Sequence, residues 1–192
     1  MILASQSPRR RELLSRIMQD FSVMNVDVDE SIDKDLPWDR AVRILALRKA
    51  FAASAHAPGE WILSADTIVV QDGSILGKPR DREDARRMLM SLSGRSHQVA
   101  TAYALIHRDR GEIHLGCDVS RVTFRALEDE DIEWYLSTPE PYDKAGAYGI
   151  QGLAAVFITQ IQGDYTNVVG LPLASLYPLC KKIHLADAVK ER

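Results

Sequence analysis

The feature that most limits how this chain can fold is the run Trp61-Ile62-Leu63-Ser64-Ala65-Asp66-Thr67-Ile68-Val69-Val70, followed by Asp72-Gly73. So many branched and aromatic side chains in succession read as a buried strand, and Asp-Gly is a strong signal for a tight hairpin turn. Asp66 is the anomaly within it. A carboxylate in a buried strand is costly unless it binds a metal, pairs with a cation or works as a base. The plainer alternative is an aspartate bonded to neighbouring backbone at a strand bulge.

The flanking sequence supplies helices for such a sheet. Leu13, Leu14, Ile17 and Met18 recur at helical spacing after the short apolar strand at residues 2–4. An alternating segment at 21–28 reads as a strand, and 37–53 as a helix with Ala41, Ile44, Leu45, Leu47 and Phe51 on its apolar face. Asp81 caps a helix carrying Ala85, Met88, Leu89 and Leu92 that stops at Gly94. Two long strands within 98–125 flank a turn near Asp109-Arg110-Gly111; a helix at 127–136, a strand at 154–162 and a helix at 173–183 follow. The expectation is an α/β protein with a mixed, twisted sheet flanked by helices, formed by residues 1–192 as one domain. A lobe boundary is expected near residues 75–81, although composition does not shift there.

The net charge of −3 gives no whole-molecule field for nucleic acid or a membrane, so a polyanion would have to be held by a local basic cluster. Cys117 and Cys180 form no C-x-x-C pair, which argues against a disulfide framework or zinc site and suits a reducing cytoplasm. No apolar stretch approaches the ~20 residues of a membrane span, no signal peptide is evident, and the charged Lys190-Glu191-Arg192 is expected to be solvated. The five histidines show no metal-ligand spacing, and there is no G-x-S-x-G elbow.

Ser5-Gln6-Ser7-Pro8-Arg9-Arg10-Arg11 leads from a strand into a helix, with Ser7 as N-cap and Pro8 at the first helical position. Three arginines then stand at the positive end of the dipole, each unfavourable by roughly 0.3–1 kcal/mol unless an anion binds there. A solvated basic helix start is the other reading. Gly77-Lys78-Pro79-Arg80 is no Walker A loop, because the glycine spacing is wrong and Pro79 replaces the magnesium-binding hydroxyl. It gains weight because Asp66 and Lys78 flank the expected hairpin. In the glycine-rich stretch 143–152, Lys144 can neutralise phosphate and Gln151 can read a base edge; a plain connection into the last strand fits as well. Asp29 and Glu30 are metal-ligand candidates or ordinary surface acids. An oxygen donor set of this kind suits Mg²⁺ or Mn²⁺ rather than zinc.

Taken together these segments resemble the Maf family of nucleotide pyrophosphatases. The resemblance rests on Leu3-Ala4-Ser5-Gln6-Ser7-Pro8-Arg9-Arg10, Ala65-Asp66-Thr67, Gly77-Lys78-Pro79, Leu92-Ser93-Gly94-Arg95-Ser96-His97, the stretch 143–152, and Asn167-Val168-Val169-Gly170-Leu171-Pro172-Leu173, in the family's order. It implies a fold similar to inosine-triphosphate pyrophosphatases, with two lobes around a cleft, and hydrolysis of a nucleoside triphosphate to monophosphate and pyrophosphate with a divalent ion. Asp66 matches the family's proton acceptor. Arg9, Thr67 and Gln151 match positions tied to substrate choice and resemble the branch acting on dTTP and UTP, with removal of non-standard pyrimidine nucleotides as a candidate purpose. Ser5, Arg10, Glu30, Lys49, Lys78 and Lys144 match further polar positions of the cleft. The expected roles are Asp66 and Lys78 in catalysis, Glu30 and Asp66 at the metal, and Ser5, Arg9, Arg10, Lys49, Thr67, Lys144 and Gln151 at the substrate. The expected setting is cytoplasmic, without stable nucleic-acid or membrane partners, and with a homodimer left open. The rivals are an inosine-triphosphate-type pyrophosphatase and a non-catalytic nucleotide-binding regulator. A mere binder has no need of a carboxylate buried beside its cations.

Overall fold

The computed structural model describes residues 1–33 and 36–185; the charged end at 190–192 lies outside them. The strands are β1 (Ile2–Leu3), β2 (Ser22–Val23), β3 (Trp61–Gln71), β4 (Ser74–Leu76), β5 (Ser96–His107), β6 (Glu112–Phe124) and β7 (Ile158–Gln162). The helices are α1 (Pro8–Ser15), α2 (Trp38–Ser54), α3 (Arg82–Leu92), α4 (Asp129–Leu136), α5 (Tyr165–Val169) and α6 (Leu173–Lys182). The strands form one mixed sheet in the order β2-β1-β3-β5-β6-β7, with β4 paired to β3. β1 is parallel to β2 and β3, whereas β3–β4 and β6–β7 are antiparallel. Among the described residues no helix is long and apolar enough to cross a membrane.

The chain divides into two compact units. One holds Met1–Asp66, Thr101–Asp118 and Gly170–Arg192; the other holds Thr67–Ala100 and Val119–Val169. The boundary expected at 75–81 is therefore incorrect. The division falls within the long strands β3, β5 and β6, and a continuous apolar strand carries no shift in composition to mark it. In the first unit Leu3, Leu13, Leu14, Val42, Leu45, Ile62 and Leu63 are buried. The second unit packs Leu89, Leu92, Phe124, Tyr135, Tyr148 and Phe157 into its own core. Burial of this kind contributes about 25 cal/mol per Å² of apolar area removed from water.

The local signals act as their chemistry requires. Ser7 Oγ accepts from the backbone N–H of Arg10, and Asp81 accepts from that of Asp84 at the start of α3. Asp72 and Gly73 both take positive φ, 51° and 80°, the conformation a two-residue hairpin turn demands. β2 is shorter than the segment 21–28 expected from alternation, because β1 offers only two residues to pair with. The last strand begins at Ile158 rather than 154, since Leu153–Phe157 forms a 3₁₀ turn.

Candidate active site

In the first unit, α2 delivers Lys49 to two carboxylates at once. Its Nζ lies 2.5 Å from Asp66 Oδ1 and 2.7 Å from Glu30 Oε1. Both the Lys49 and Asp66 side chains are nearly buried, at 14% and 13% exposure, whereas Glu30 is open to solvent at 60%. Asp66 is thus not an unpaired charge. It is a carboxylate in the middle of a buried strand, paired with an ammonium. Glu30 reaches Lys49 because the loop after β2 is strapped down: Arg48 donates to the carbonyls of Asp29 at 2.9 Å and Ser31 at 2.7 Å. Asp29 takes a different part. Its carboxylate accepts from Ser31 N–H and hydroxyl, both at 2.8 Å, which holds it below the usual carboxylate range. Of the two acids considered together in the sequence, only Glu30 joins the cluster.

The start of α1 adds cations to the same unit. Arg10 Nε donates to the carbonyl of Gly170 at 2.9 Å, and its NH1 to Ser5 Oγ at 3.3 Å. Burial lowers the Arg10 guanidinium from its ordinary value, and the nearby charges of Asp66 and Glu30 oppose that. Arg9 is partly buried and near enough to add a further lowering influence. Ser5, Arg9, Arg10, Glu30, Lys49 and Asp66 therefore form one neighbourhood in which three cations face two carboxylates. Arg10 is occupied in fixing the fold around Ser5. Arg9 makes no hydrogen bond or ion pair to a described residue and is the guanidinium left for a ligand.

The second unit holds the rest. The β3–β4 ladder ends at Val69 opposite Leu76; Thr67 stands two residues before Val69 on β3, and Lys78 two residues after the end of β4. Lys78 is exposed and has no hydrogen bond or ion pair to a described residue. Gly146 N–H donates to Gly77 O at 3.0 Å, tying the 143–152 segment to the turn that carries Lys78. Gly146 has φ of 69°, and a Cβ there would sit 3.0–3.1 Å from Val69, so both backbone conformation and space require glycine. Lys144 Nζ donates to Glu140 O at 2.9 Å and pairs with Asp143 Oδ1 at 2.5 Å. Gln151 is exposed at the end of this segment, its amide bonded to no described residue.

The metal expectation can be set against the donor chemistry. Among the described residues no three His, Cys, Asp or Glu side chains assemble into a cation site. Glu30 and Asp66 supply carboxylate oxygens alone, which suits a hard ion held by one or two carboxylates and completed by phosphate oxygens and water. The residues fit Mg²⁺ or Mn²⁺ in that manner and do not fit zinc.

Two features escaped the sequence: the Lys49 bridge and the role of Glu140, described below. Neither has a local signal, because the partners come from separate segments.

The family model for Maf-like protein matches residues 1–183. A dTTP/UTP pyrophosphatase of Pyrococcus furiosus is 49% identical over 187 residues, covering 95% of each chain. One of Symbiobacterium thermophilum is 54% identical over 174 residues, covering 90% of this chain and 88% of that one. Among solved structures, a HAM1 protein from Coxiella burnetii superposes with a TM-score of 0.53 at 15% identity, covering 94% and 98% of the two chains, a likeness of fold.

Proposed function

The chain belongs to the Maf family, and from that membership and the site chemistry we infer that it hydrolyses nucleoside triphosphates, chiefly dTTP and UTP, to the monophosphate and pyrophosphate. The observation that carries the catalytic reading is Asp66, a nearly buried carboxylate bound to Lys49 and neighboured by arginines. Curated relatives named dTTP/UTP pyrophosphatase, at about half identity and nearly full length, support the substrate.

In this reading Asp66 orients the attacking water and takes its proton. Lys49 holds the Asp66 carboxylate in place through their 2.5 Å contact. Arg9 and Lys78, two cations with no side-chain bond to a described residue, bind phosphate oxygens and offset charge growing on the pyrophosphate leaving group. Lys144, fixed by Glu140 and Asp143, adds positive charge from the 143–152 segment. Glu30 and Asp66 would hold a Mg²⁺ or Mn²⁺ ion, which supplies Lewis-acid polarisation of the phosphates and charge neutralisation. Arg9, Thr67 and Gln151 set base choice; the Gln151 amide offers both a donor and an acceptor to the pyrimidine edge.

The test is a panel of triphosphates assayed for pyrophosphate and nucleoside monophosphate under one metal condition. dTTP and UTP should give the highest kcat/KM, ahead of dATP, dGTP and 7-methyl-GTP. Gln151→Glu should weaken pyrimidine use, because a carboxylate loses the amide donors and adds negative charge. A purine preference in the unaltered protein would refute the base assignment, and absence of pyrophosphate would refute the enzyme.

A further inference from the structure

We propose that Glu140 is the positioning residue that sets Gln151, and so base selectivity, through a clamp on the backbone just beyond it. The inference rests on Gln151 as the base reader and adds what holds it. Glu140 lies in a 3₁₀ turn after α4 (Glu140–Asp143), and its carboxylate points back across the glycine-rich segment. Oε2 accepts from the Leu153 N–H at 2.8 Å, while Oε1 accepts from Tyr135 OH at 3.0 Å and from the Ala154 N–H at 3.5 Å. Tyr135 is fully buried in α4, and burial followed by the adjacent Glu140 raises its phenol, so it stays a donor.

The clamp closes over a glycine. Gly152 has φ of −109°, a conformation any residue can take, so backbone freedom is not what requires it. Space is: a Cβ at Gly152 would lie 2.3–2.4 Å from the Glu140 carboxylate. The chain at Gln151-Gly152 therefore passes directly against Glu140. A turn closed by Gly152 N–H on Gly149 O at 3.1 Å fixes the other side of Gln151. Gln151 makes no side-chain bond to a described residue, so these backbone contacts on both sides set the position from which its amide extends. The main-chain carbonyl of Glu140 also receives Lys144 at 2.9 Å. That contact survives replacement of the side chain, so substitutions at Glu140 act on the Gln151 side of the segment.

The test compares kcat/KM for dTTP with that for dATP, a ratio that cancels any loss of folded enzyme. Glu140→Gln keeps the size but places an amide NH₂ against a cluster of donors. It should lower the ratio by about tenfold, the scale on which a displaced polar contact erodes selectivity. Gly152→Ala, which forces the Glu140 carboxylate aside, should do the same. In a Glu140→Ala background Gly152→Ala should add little, because its methyl then enters vacated space. Gln151→Ala is the control. If Gln151→Ala lowers the ratio while Glu140→Gln and Gly152→Ala leave it at the wild-type value, the positioning role of Glu140 is overturned. If Gln151→Ala leaves the ratio unchanged, the base-reading assignment itself falls, and the role of Glu140 with it. Should Glu140→Gln fail to fold, the Gly152→Ala ratio decides.

Discussion

Asp66→Asn separates the chemistry of the site from its architecture. Asp66 Oδ1 accepts from Lys49 at 2.5 Å with only 13% of the side chain exposed. Asparagine keeps an acceptor oxygen in the same place, and Lys49 retains Glu30 at 2.7 Å, so no buried donor is stranded. The change turns an ion pair into a hydrogen bond with one charged partner, a loss of about 1 kcal/mol from the ~1.5–3 kcal/mol of a hydrogen bond to a charged group. Catalysis should suffer more, because an amide cannot accept the proton of water. Loss of a general base costs about 10²–10⁴-fold, or roughly 3–5 kcal/mol of barrier. The assay is pyrophosphate release at saturating dTTP, with urea unfolding on the same preparations. A fall in turnover of at least ~10²-fold with a unimodal unfolding transition and a small shift in midpoint is expected. Near-normal turnover, or a loss that merely follows the folded fraction, refutes Asp66 as the base.

Lys78→Ala and Arg9→Ala should each lower kcat/KM on dTTP, since these cations have no side-chain partner among the described residues; unchanged kinetics in both would move the phosphate contacts elsewhere. A chelator should abolish turnover, and Mg²⁺ or Mn²⁺ should restore it; activity that persists in excess chelator would remove Glu30 and Asp66 from metal binding. Stability should depend on pH through His97, which is buried, bonded to Tyr148 OH at 2.7 Å, and lowered by burial from 6.5 to about 4. Below pH 6.5 the unfolded chain takes up a proton that the folded ring refuses. Stability is therefore complete above that pH and declines until the folded ring also protonates near 4, by up to about 3 kcal/mol at roughly 1.4 kcal/mol per pH unit. Denaturant midpoints from pH 7.5 to 4 should fall less steeply in His97→Gln; parallel slopes would exclude His97 as a source.

The readable part of the fold was local. The β3 strand, its Asp72-Gly73 hairpin and the Ser7 and Asp81 caps depend on residues a few positions apart, and all appear where the pattern places them. Less legible was the segment after α4. Its glycines read equally as a binding loop or a plain connector, and α5 carried too little periodicity to be seen. The site residues were suggested as types and positions, with Asp66 marked by its cost in a buried strand. Their partnerships were not.

The sequence by itself determined which segments become strand, turn and helix start, because backbone sterics, caps and apolar period act within a turn or two of chain. It also determined the family, through motifs that persist in order along the chain. Only the tertiary structure decided what each charge does. Lys49 serves Asp66 and Glu30, Arg10 reaches a carbonyl 160 residues away, Asp29 turns into its own loop, and Glu140 grips the backbone beyond Gln151. A long polar side chain takes whichever partner the packed segments bring within about 3 Å, and its neighbours in sequence do not encode that choice.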